Sequence, residues 1–204
     1  DRSQVPIEAE RKFYINDPES LPGGPEIYIQ QWYLPKDAYS FDGKNLTISN
    51  LVTVSVEPGP WSIAMKKALS RDRPTVRIRV IDGVKAKLTI KGKTKNYARN
   101  EMEWPIDFND AKALINSNDW PNVVKIRRNV ISDNQTWEVD QFLGENEGLW
   151  LAEIEFSCTH AEFKTPSWVN HEVSKISELS SHQLAINPLS SWGEGLITRA
   201  LGDN

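Results

Sequence analysis

The stretch IEAERKF at residues 7–13 decides how the rest of the chain is interpreted. Glu8, Glu10 and Lys12 occupy alternate positions, and alternate side chains of a β-strand point to the same face. A strand here therefore places all three charged side chains on one face. The opposite face is apolar except for Arg11, which is an exception to the pattern.

The same alternation recurs along the chain, and it usually pairs charges of one sign. The later members are Arg77/Arg79, Lys91, Glu101/Glu103, Lys125/Arg127, Glu138/Asp140 and Glu153/Glu155. Like charges two positions apart on a strand lie about 7 Å from each other and repel. They are favourable only where groups of opposite sign lie between the strands. We interpret the set as a closed barrel whose interior carries carboxylates and cations, an environment suited to a metal-bound polyphosphate.

An antiparallel sheet with one solvated face is the alternative interpretation. It suffices for any single strand, because charged outer faces are common. It explains the whole set less well, because solvated faces usually mix the two signs, whereas here the sign changes from strand to strand. We therefore favour the barrel.

The composition limits the class of protein. A length of 204 residues fits one domain, and a net charge of −4 argues against a nucleic-acid duplex or a membrane surface as the partner. Cys158 is the single cysteine, so no internal disulfide framework is expected. No apolar run reaches the length of a membrane span, and no signal peptide is expected before Glu8. We expect a cytoplasmic protein that is a monomer or a homodimer.

Alternation and turn residues together predict the secondary structure. Strands are predicted over 6–15, 26–34, 46–56, 75–81, 85–91, 98–106, 122–131, 135–143 and 149–157. Segment 107–117 is a predicted helix, with Asp107 or Asn109 as its cap. Further short helices are predicted over 167–176, 178–186 and 190–201.

In their order along the chain, these segments resemble the strands of the CYTH family, also called triphosphate tunnel metalloenzymes. Glu8, Glu10 and Lys12 match the family's opening Glu-x-Glu-x-Lys signature. The later matches are Val76-Arg77-Ile78-Arg79, Leu88-Thr89-Ile90-Lys91-Gly92, Arg99-Asn100-Glu101-Met102-Glu103, Lys125-Ile126-Arg127, Trp137-Glu138-Val139-Asp140, Leu151-Ala152-Glu153-Ile154-Glu155, and Pro166-Ser167-Trp168 followed by Glu172-Val173-Ser174. The resemblance covers roughly residues 5–190 and is closest to the short, single-domain bacterial members.

The resemblance implies an α+β, mainly β fold. This is an eight-stranded antiparallel closed β-barrel, or tunnel, with a few surface helices and C-terminal helices. It implies one domain over residues 1–204, with a helical segment at about 167–204. Residues 36–74 depart from the short members as an insertion, for which we expect an edge strand and a solvated helix. A substrate lid or a partner-contact element is the alternative for this insertion. Leu179-Ser180-Ser181 stands where those members often have a Tyr and an Asn, so substrate choice is expected to differ if this segment shapes the tunnel.

The charged residues are candidates for binding a triphosphate and its metal ions. The cations expected to bind the substrate are Lys12, Arg77, Arg79, Lys91, Lys125 and Arg127. The carboxylates expected to hold metal, directly or through water, are Glu8, Glu10, Glu101, Glu103, Glu138, Asp140, Glu153 and Glu155. Hard oxygen ligands favour Mg²⁺ or Mn²⁺, and the resemblance implies two ions. Catalytic roles are expected for Glu8 or Glu101, which would orient the attacking water, and for Lys12 and Lys125.

We therefore expect a metal-dependent triphosphatase whose partner is a small molecule that contains a triphosphate. Its substrate would be inorganic triphosphate, a nucleoside triphosphate or another organic triphosphate. The first alternative is a class IV-type adenylyl cyclase, which would make cyclic AMP and pyrophosphate from ATP. The second alternative is a module that binds polyphosphate or a nucleotide without turnover. The many acids argue against the second, because binding a polyanion does not require them.

Overall fold

The computed structural model describes residues 4–156, 162–193 and 195–201; Cys158 lies outside them. In chain order the strands are β1 (Ile7–Tyr14), β2 (Glu26–Tyr33), β3 (Tyr39–Phe41), β4 (Asn45–Ile48), β5 (Val52–Ser55), β6 (Thr75–Ile81), β7 (Lys85–Lys91), β8 (Ala98–Ile106), β9 (Asn122–Ser132), β10 (Gln135–Phe142) and β11 (Trp150–Phe156). The α-helices are α1 (Pro60–Leu69), α2 (Phe108–Ser117), α3 (Ser181–Ile186) and α4 (Leu196–Leu201).

Eight of these strands form a closed barrel in the order β1-β11-β10-β9-β2-β6-β7-β8. The pairings within it are antiparallel, as between β6 and β7, where Arg77 lies opposite Thr89 and Arg79 lies opposite Lys87. The predicted fold class, a mainly β fold built on a closed eight-stranded barrel, is confirmed. Among the helices of the described residues, none combines the length and the apolar character needed to cross a membrane.

The chain divides into two compact units. The first comprises Asp1–Glu8 and Gln30–Asn122, and the second comprises Ala9–Ile29 and Val123–Asn204. Each unit has its own hydrophobic cluster, to which one face of its barrel strands contributes. The alternate residues of those strands carry the charged side chains, as the spacing in the sequence predicts.

In the first unit, the apolar face of the sheet packs against helices. Ile78 of β6 and Leu88 of β7 are fully buried in one cluster with Met65 of α1 and Leu114 of α2. Asp107 caps α2 by accepting a hydrogen bond of 2.9 Å from the backbone N–H of Asp110, which confirms the helix predicted over 107–117. Because helices cover the apolar face, the charged face of these strands is the inner face of the barrel.

In the second unit, aromatic residues form the centre of the cluster. Trp137 of β10 is fully buried and makes edge-to-face contacts with Phe13 of β1 and Trp168, at centroid distances of 5.5 and 5.8 Å. Ile154 of β11 belongs to the same cluster. The neighbouring residue on β11, Glu153, points to the opposite, charged face.

The insertion at 36–74 differs from the prediction in two ways. The strand predicted over 46–56 is wrong as a single element, because Ser49 and Asn50 adopt left-handed backbone conformations (φ 47° and 59°) and turn the chain into the β4–β5 hairpin. The insertion is also more than an edge strand with a solvated helix, since β3, β4 and β5 form a three-stranded sheet of their own. Helix α1 buries Trp61 and Met65 in the cluster of the first unit.

The helix predicted over 167–176 is wrong. This segment pairs with the backbone of β1: the N–H of Val173 donates to the carbonyl of Lys12 at 2.8 Å, and that of Asn170 donates to Tyr14 at 3.2 Å. The helix predicted over 178–186 is a 3-10 turn followed by α3, and that over 190–201 is a short 3-10 turn and α4.

The pairing of 170–173 with β1 also explains Arg11, the exception in the opening stretch. Arg11 lies on the outer face of β1 and donates two hydrogen bonds, of 2.8 and 2.5 Å, to the Glu172 carboxylate. Its guanidinium also lies 5.4 Å from the centre of the Phe163 ring. The charged residue on the otherwise apolar face of β1 is therefore explained by partners more than 150 positions away in the sequence.

Candidate active site

The charged face of the first unit pairs basic residues with carboxylates across neighbouring strands. The Lys91 ammonium lies 3.3 Å from Glu8 Oε2, and both side chains are about nine-tenths buried. Lys91 also lies opposite Glu101 in the β7–β8 register, and Arg77 Nη2 lies 3.8 Å from Glu101 Oε1. Strands β1, β6, β7 and β8 thus bring four of the predicted site residues together.

Glu101 and Glu8 are close enough to interact directly. Burial raises the pKa of Glu101, and a hydrogen bond with Glu8 raises it further, while the positive charges of Lys91 and Arg77 oppose both effects. The net result is a pKa of about 7, against an ordinary value of 4.5. Two neighbouring carboxylates repel each other, so the pKa of one of them rises unless nearby cations compensate.

Thr89 of β7 links Arg77 to Glu103. Arg77 Nη2 donates to Thr89 Oγ1 at 3.3 Å, and the Thr89 hydroxyl donates to Glu103 Oε2 at 2.8 Å. Lys87 lies 3.3 Å from the other carboxylate oxygen of Glu103. Burial raises the pKa of Glu103, but the bond from Thr89 and the charges of Lys87 and Arg77 outweigh it, so the net pKa is lowered.

The two arginines of β6 are held differently. Arg77 is 4% exposed, and its Nε is buried without a hydrogen-bond partner in the part of the chain that the structure describes. A buried N–H without an acceptor is costly, so this atom is suited to an incoming oxygen. Arg79 Nε donates instead to the side-chain oxygen of Gln31 at 2.9 Å.

The charged face of the second unit centres on Asp140 of β10, which is 1% exposed. Arg127 of β9 binds both oxygens of this carboxylate, through Nε at 2.7 Å and Nη2 at 3.0 Å. The Lys125 ammonium lies 2.8 Å from Asp140 Oδ2. Arg127 Nη1 also contacts Glu138. Two buried cations therefore share one buried anion, and Glu138 adds a second carboxylate to Arg127.

These pairs shift the pKa values of both carboxylates that lie deepest. Burial raises the pKa of Asp140, but Arg127 and Lys125 outweigh it and hold the pKa well below its ordinary value. Glu153 of β11 lies opposite Lys12 of β1, with its Oε1 3.4 Å from the ammonium. Burial also raises the pKa of Glu153, yet the charge of Lys12, with Lys125 and Arg127, lowers it to about 2.

The C-terminal segment reaches two of these cations. The Lys12 ammonium donates to the backbone carbonyl of Leu179 at 3.4 Å, and the Lys125 ammonium donates to Ser181 Oγ at 3.3 Å. Residues 179–181 are the stretch that departs from the short bacterial pattern. These residues therefore lie against the charged face of the second unit.

A group of carboxylates at one end of β1 could hold a cation. One oxygen from each of Glu8, Glu10 and Glu155 lies within 4.8 Å of the other two. Glu10 and Glu155 lie opposite each other in the β1–β11 register. Oxygen ligands that converge in this way are the type that Mg²⁺ and Mn²⁺ prefer.

A cavity of about 430 Å³ borders the charged face of the second unit. It is lined by three apolar residues, Pro25, Ile27 and Ile131, and by four polar or charged residues, Arg127, Asn129, Thr136 and Glu138. Arg128 fixes the loop that carries Pro25, since its guanidinium donates to the carbonyl of Pro22 at 3.1 Å and to Glu26 at 3.0 Å.

Sequence reasoning missed four polar residues that contact the predicted site residues. Lys87 and Thr89 follow the same alternation as Lys91, so the spacing contained a usable signal for both. Gln31 carries no charge and therefore does not stand out in a charge pattern. Ser181 lies outside the strands, in a segment whose contact with β9 no local pattern indicates.

The structure thus belongs to the class of closed β-barrels whose inner face pairs buried basic residues with carboxylates. The CYTH domain family matches residues 64–185, more than half of the chain, and the chain belongs to this family. An inorganic triphosphatase of Acetivibrio thermocellus is 37% identical over 121 residues, which are 59% of this chain and 77% of that protein.

The solved structures give the same fold. One structure of NE1496, described as an inorganic triphosphatase, is 22% identical with a TM-score of 0.52, and it covers 90% of this chain and 97% of that one. A second structure, described as the hypothetical protein NE1496, is 23% identical with the same TM-score and covers 88% and 97%. The resemblance found in the sequence is therefore confirmed at the level of family and fold.

Proposed function

We propose that this protein is a divalent-metal-dependent triphosphatase that hydrolyses the terminal phosphate of a triphosphate. The observation that carries the proposal is the burial of five basic side chains on the charged faces of the two units, each at least nine-tenths buried: Lys12, Arg77, Lys91, Lys125 and Arg127. Buried cations require anions, which the carboxylates supply in the structure, and the negatively charged oxygens of a triphosphate are suited to the same cations. The name of the Acetivibrio thermocellus relative supports the same activity.

The proposed substrate clamp consists of the six predicted cations: Lys12, Arg77, Arg79, Lys91, Lys125 and Arg127. The buried Nε of Arg77 fits this role, since a phosphate oxygen would satisfy it. Lys12 and Lys125 now donate to Leu179 and Ser181 with long bonds of 3.4 and 3.3 Å. Phosphate oxygens could replace these weak contacts at little cost.

The carboxylates fit Mg²⁺ or Mn²⁺. We propose that Glu8, Glu10 and Glu155 hold one ion, because their oxygens already converge. Bound there, the ion would neutralise charge on the phosphate oxygens. Asp140 forms an ion pair with Lys125, and Glu153 forms one with Lys12, so we propose that these two carboxylates orient the cations of the clamp. Glu101, Glu103 and Glu138 are the remaining candidates for the second ion that the family resemblance implies.

The hydrolytic step needs a positioned water and stabilised leaving oxygens. We propose that Glu8 or Glu101 orients a water whose oxygen attacks the terminal phosphorus in line with the bond that breaks. The water's proton passes to the carboxylate, and the bond from phosphorus to the bridging oxygen breaks. The leaving oxygen takes up the electron pair, and Lys12 and Lys125 neutralise its charge. Orthophosphate is one product, and the other is pyrophosphate or an organic diphosphate.

The cavity beside Arg127 bears on the choice of substrate. Inorganic triphosphate has no group to pack against the apolar lining residues Pro25, Ile27 and Ile131, whereas an organic triphosphate has one. Incubation with inorganic triphosphate, ATP and other nucleoside triphosphates, each with Mg²⁺ or Mn²⁺, tests this choice by product identity. Orthophosphate supports the triphosphatase; cyclic AMP with pyrophosphate would mean a cyclase, and tight binding without product would mean a binding module.

Arg77→Ala tests the clamp. We expect its kcat/KM for the preferred triphosphate to fall by about 10²–10³-fold, the effect of removing one preorganised charged donor from a reacting site. Arg73→Ala is the matched control, because Arg73 lies in the same unit but is exposed. Unchanged hydrolysis by Arg77→Ala, in a protein that unfolds at the wild-type temperature, would show that the clamp is assigned wrongly.

A further inference from the structure

Gln31 is a fully buried amide on the charged face of β2. Its side chain is 0% exposed, and its neighbour on the same face, Tyr33, is 3% exposed. A buried amide needs partners for both its oxygen and its nitrogen, since an unsatisfied polar group costs stability. Because β2 lies next to β6, the strand that carries Arg77 and Arg79, an arginine is available as one of these partners.

The hydrogen bonds of Gln31 have only one possible direction. Arg79 Nε donates to Gln31 Oε1 at 2.9 Å, and Gln31 Nε2 donates to the Tyr33 hydroxyl oxygen at 2.8 Å. A guanidinium can only donate, so the amide oxygen must face Arg79 and the amide nitrogen must face Tyr33. The chain from Tyr33 through Gln31 to Arg79 thus fixes the orientation of the guanidinium plane.

This orientation matters because Arg79 lies opposite a second cation. Lys87 is its partner in the β6–β7 register, and Lys87 pairs with Glu103 at 3.3 Å. Gln31 holds Arg79 beside Lys87 through its amide oxygen. This acceptor is neutral, so it adds no negative charge to the charged face of the strands. With Nε bound to the amide, the plane of the guanidinium is set, and with it the direction of its Nη groups.

We propose that Gln31 is a positioning residue that orients Arg79 for the terminal or central phosphate of the substrate. The inference rests on the proposed function, because it names the role of Gln31 in the same site. Gln31 itself does not touch the substrate. Tyr33 supports it from behind by accepting the amide N–H.

Gln31→Leu tests the proposal together with Arg79→Lys and the double variant. Gln31→Leu removes the acceptor, so we expect kcat/KM for the preferred triphosphate to fall by about 10- to 100-fold, the value of a hydrogen bond to a charged group. Lysine has no planar Nε for Gln31 to orient. In the Arg79→Lys background, the same change at Gln31 should therefore cost less than about twofold. Gln30→Leu, a half-buried amide on the other face of β2, is the matched control and should retain wild-type activity.

Two further variants separate orientation from folding. Gln31→Glu keeps the acceptor but adds a negative charge, so kcat should stay near the wild-type value while KM rises. Tyr33→Phe removes only the oxygen that accepts from Gln31, and it serves if Gln31→Leu does not fold. Its smaller loss in kcat/KM should also disappear in the Arg79→Lys background.

The outcomes distinguish this inference from the function on which it rests. Additive losses in the double variant, or a lower melting temperature with unchanged kcat/KM, would make Gln31 a purely structural residue and overturn the proposal. If the wild-type protein hydrolyses no triphosphate, the proposed function fails. The positioning role is then read from the rise in melting temperature on adding tripolyphosphate, which should be smaller for Gln31→Leu than for wild type but equal in the two Arg79→Lys proteins.

Discussion

Replacement of Asp140 by Asn is the most direct test of how the charged face is stabilised. Asp140 is 1% exposed and accepts hydrogen bonds from Arg127 at 2.7 and 3.0 Å, and its other contact is the Lys125 ammonium at 2.8 Å. Asparagine keeps the volume of the side chain but removes its charge. Arg127 retains Glu138, while Lys125 loses the carboxylate to which the structure joins it most closely.

The expected loss of stability follows from the burial of Asp140, Arg127 and Lys125. Removing one partner of a buried ion pair typically destabilises a protein by about 3–5 kcal/mol, because the remaining charge stays buried. For a chain of this size, each kcal/mol lowers the melting temperature by about 2–4 °C, so we expect a decrease of about 6–20 °C. Asp133→Asn is the control, since Asp133 is exposed in the β9–β10 turn and should change stability by less than about 0.5 kcal/mol.

The dependence on pH provides a second readout. Arg127 and Lys125 hold the pKa of Asp140 below its ordinary value of 3.8, so the stability that its charge contributes is present above that value. That contribution is lost as the pH falls through the lowered pKa. The difference in unfolding free energy between wild type and Asp140→Asn, measured by urea denaturation, should therefore be full near pH 7 and smaller near about pH 2.5. A difference below about 1 kcal/mol near pH 7, or one that is the same at both pH values, would refute the reasoning.

Two other predictions concern the second unit. The pKa of Glu153 is lowered to about 2 from 4.5. It should therefore stabilise the protein above about pH 4.5 and lose this effect as the pH falls, and Glu153→Gln should flatten the acid side of a plot of unfolding free energy against pH. Gly24→Ala should destabilise the protein by about 1–3 kcal/mol, because the new methyl group would collide with the backbone oxygen of Asn129. Gly23→Ala has open space around it and should be neutral in the same melting experiment; equal effects of the two changes would contradict this account.

The barrel could be predicted from the sequence because its signal is local to each strand. Alternation with a period of two is preserved when the charged face turns inward, so Arg77 and Arg79 identify β6 as clearly as an apolar pattern would. The change of sign between strands then indicates that the charged faces meet opposite charges. In the register of β1 with β11, Lys12 lies opposite Glu153, as this argument requires, whereas Glu10 lies opposite Glu155, where two like charges call for a cation.

Other features could not be predicted, because their partners are distant in the sequence. Segment 167–176 follows a proline and has apolar residues at spacings compatible with a helix, yet its backbone pairs with β1. No window of neighbouring residues contains the strand that supplies those hydrogen bonds. Gln31 is a similar case, since only the position of Arg79 reveals what its amide does. The turn at Ser49-Asn50 lacks the glycine that would mark it clearly.

The pairing of buried charges within the protein bears on why we propose a triphosphate as its ligand. In the structure, Lys12 is paired with Glu153, Lys91 with Glu8, and Lys125 with Asp140. A ligand that binds these cations must supply negative charge beside the carboxylates or in their place, since a buried cation cannot be left without an anion. A single phosphate group offers too few oxygens to replace several carboxylates on different strands. A triphosphate offers them on one connected chain. In the proposed function, Glu8 then becomes available as an oxygen ligand for a metal ion, whereas Asp140 and Glu153 keep orienting the clamp.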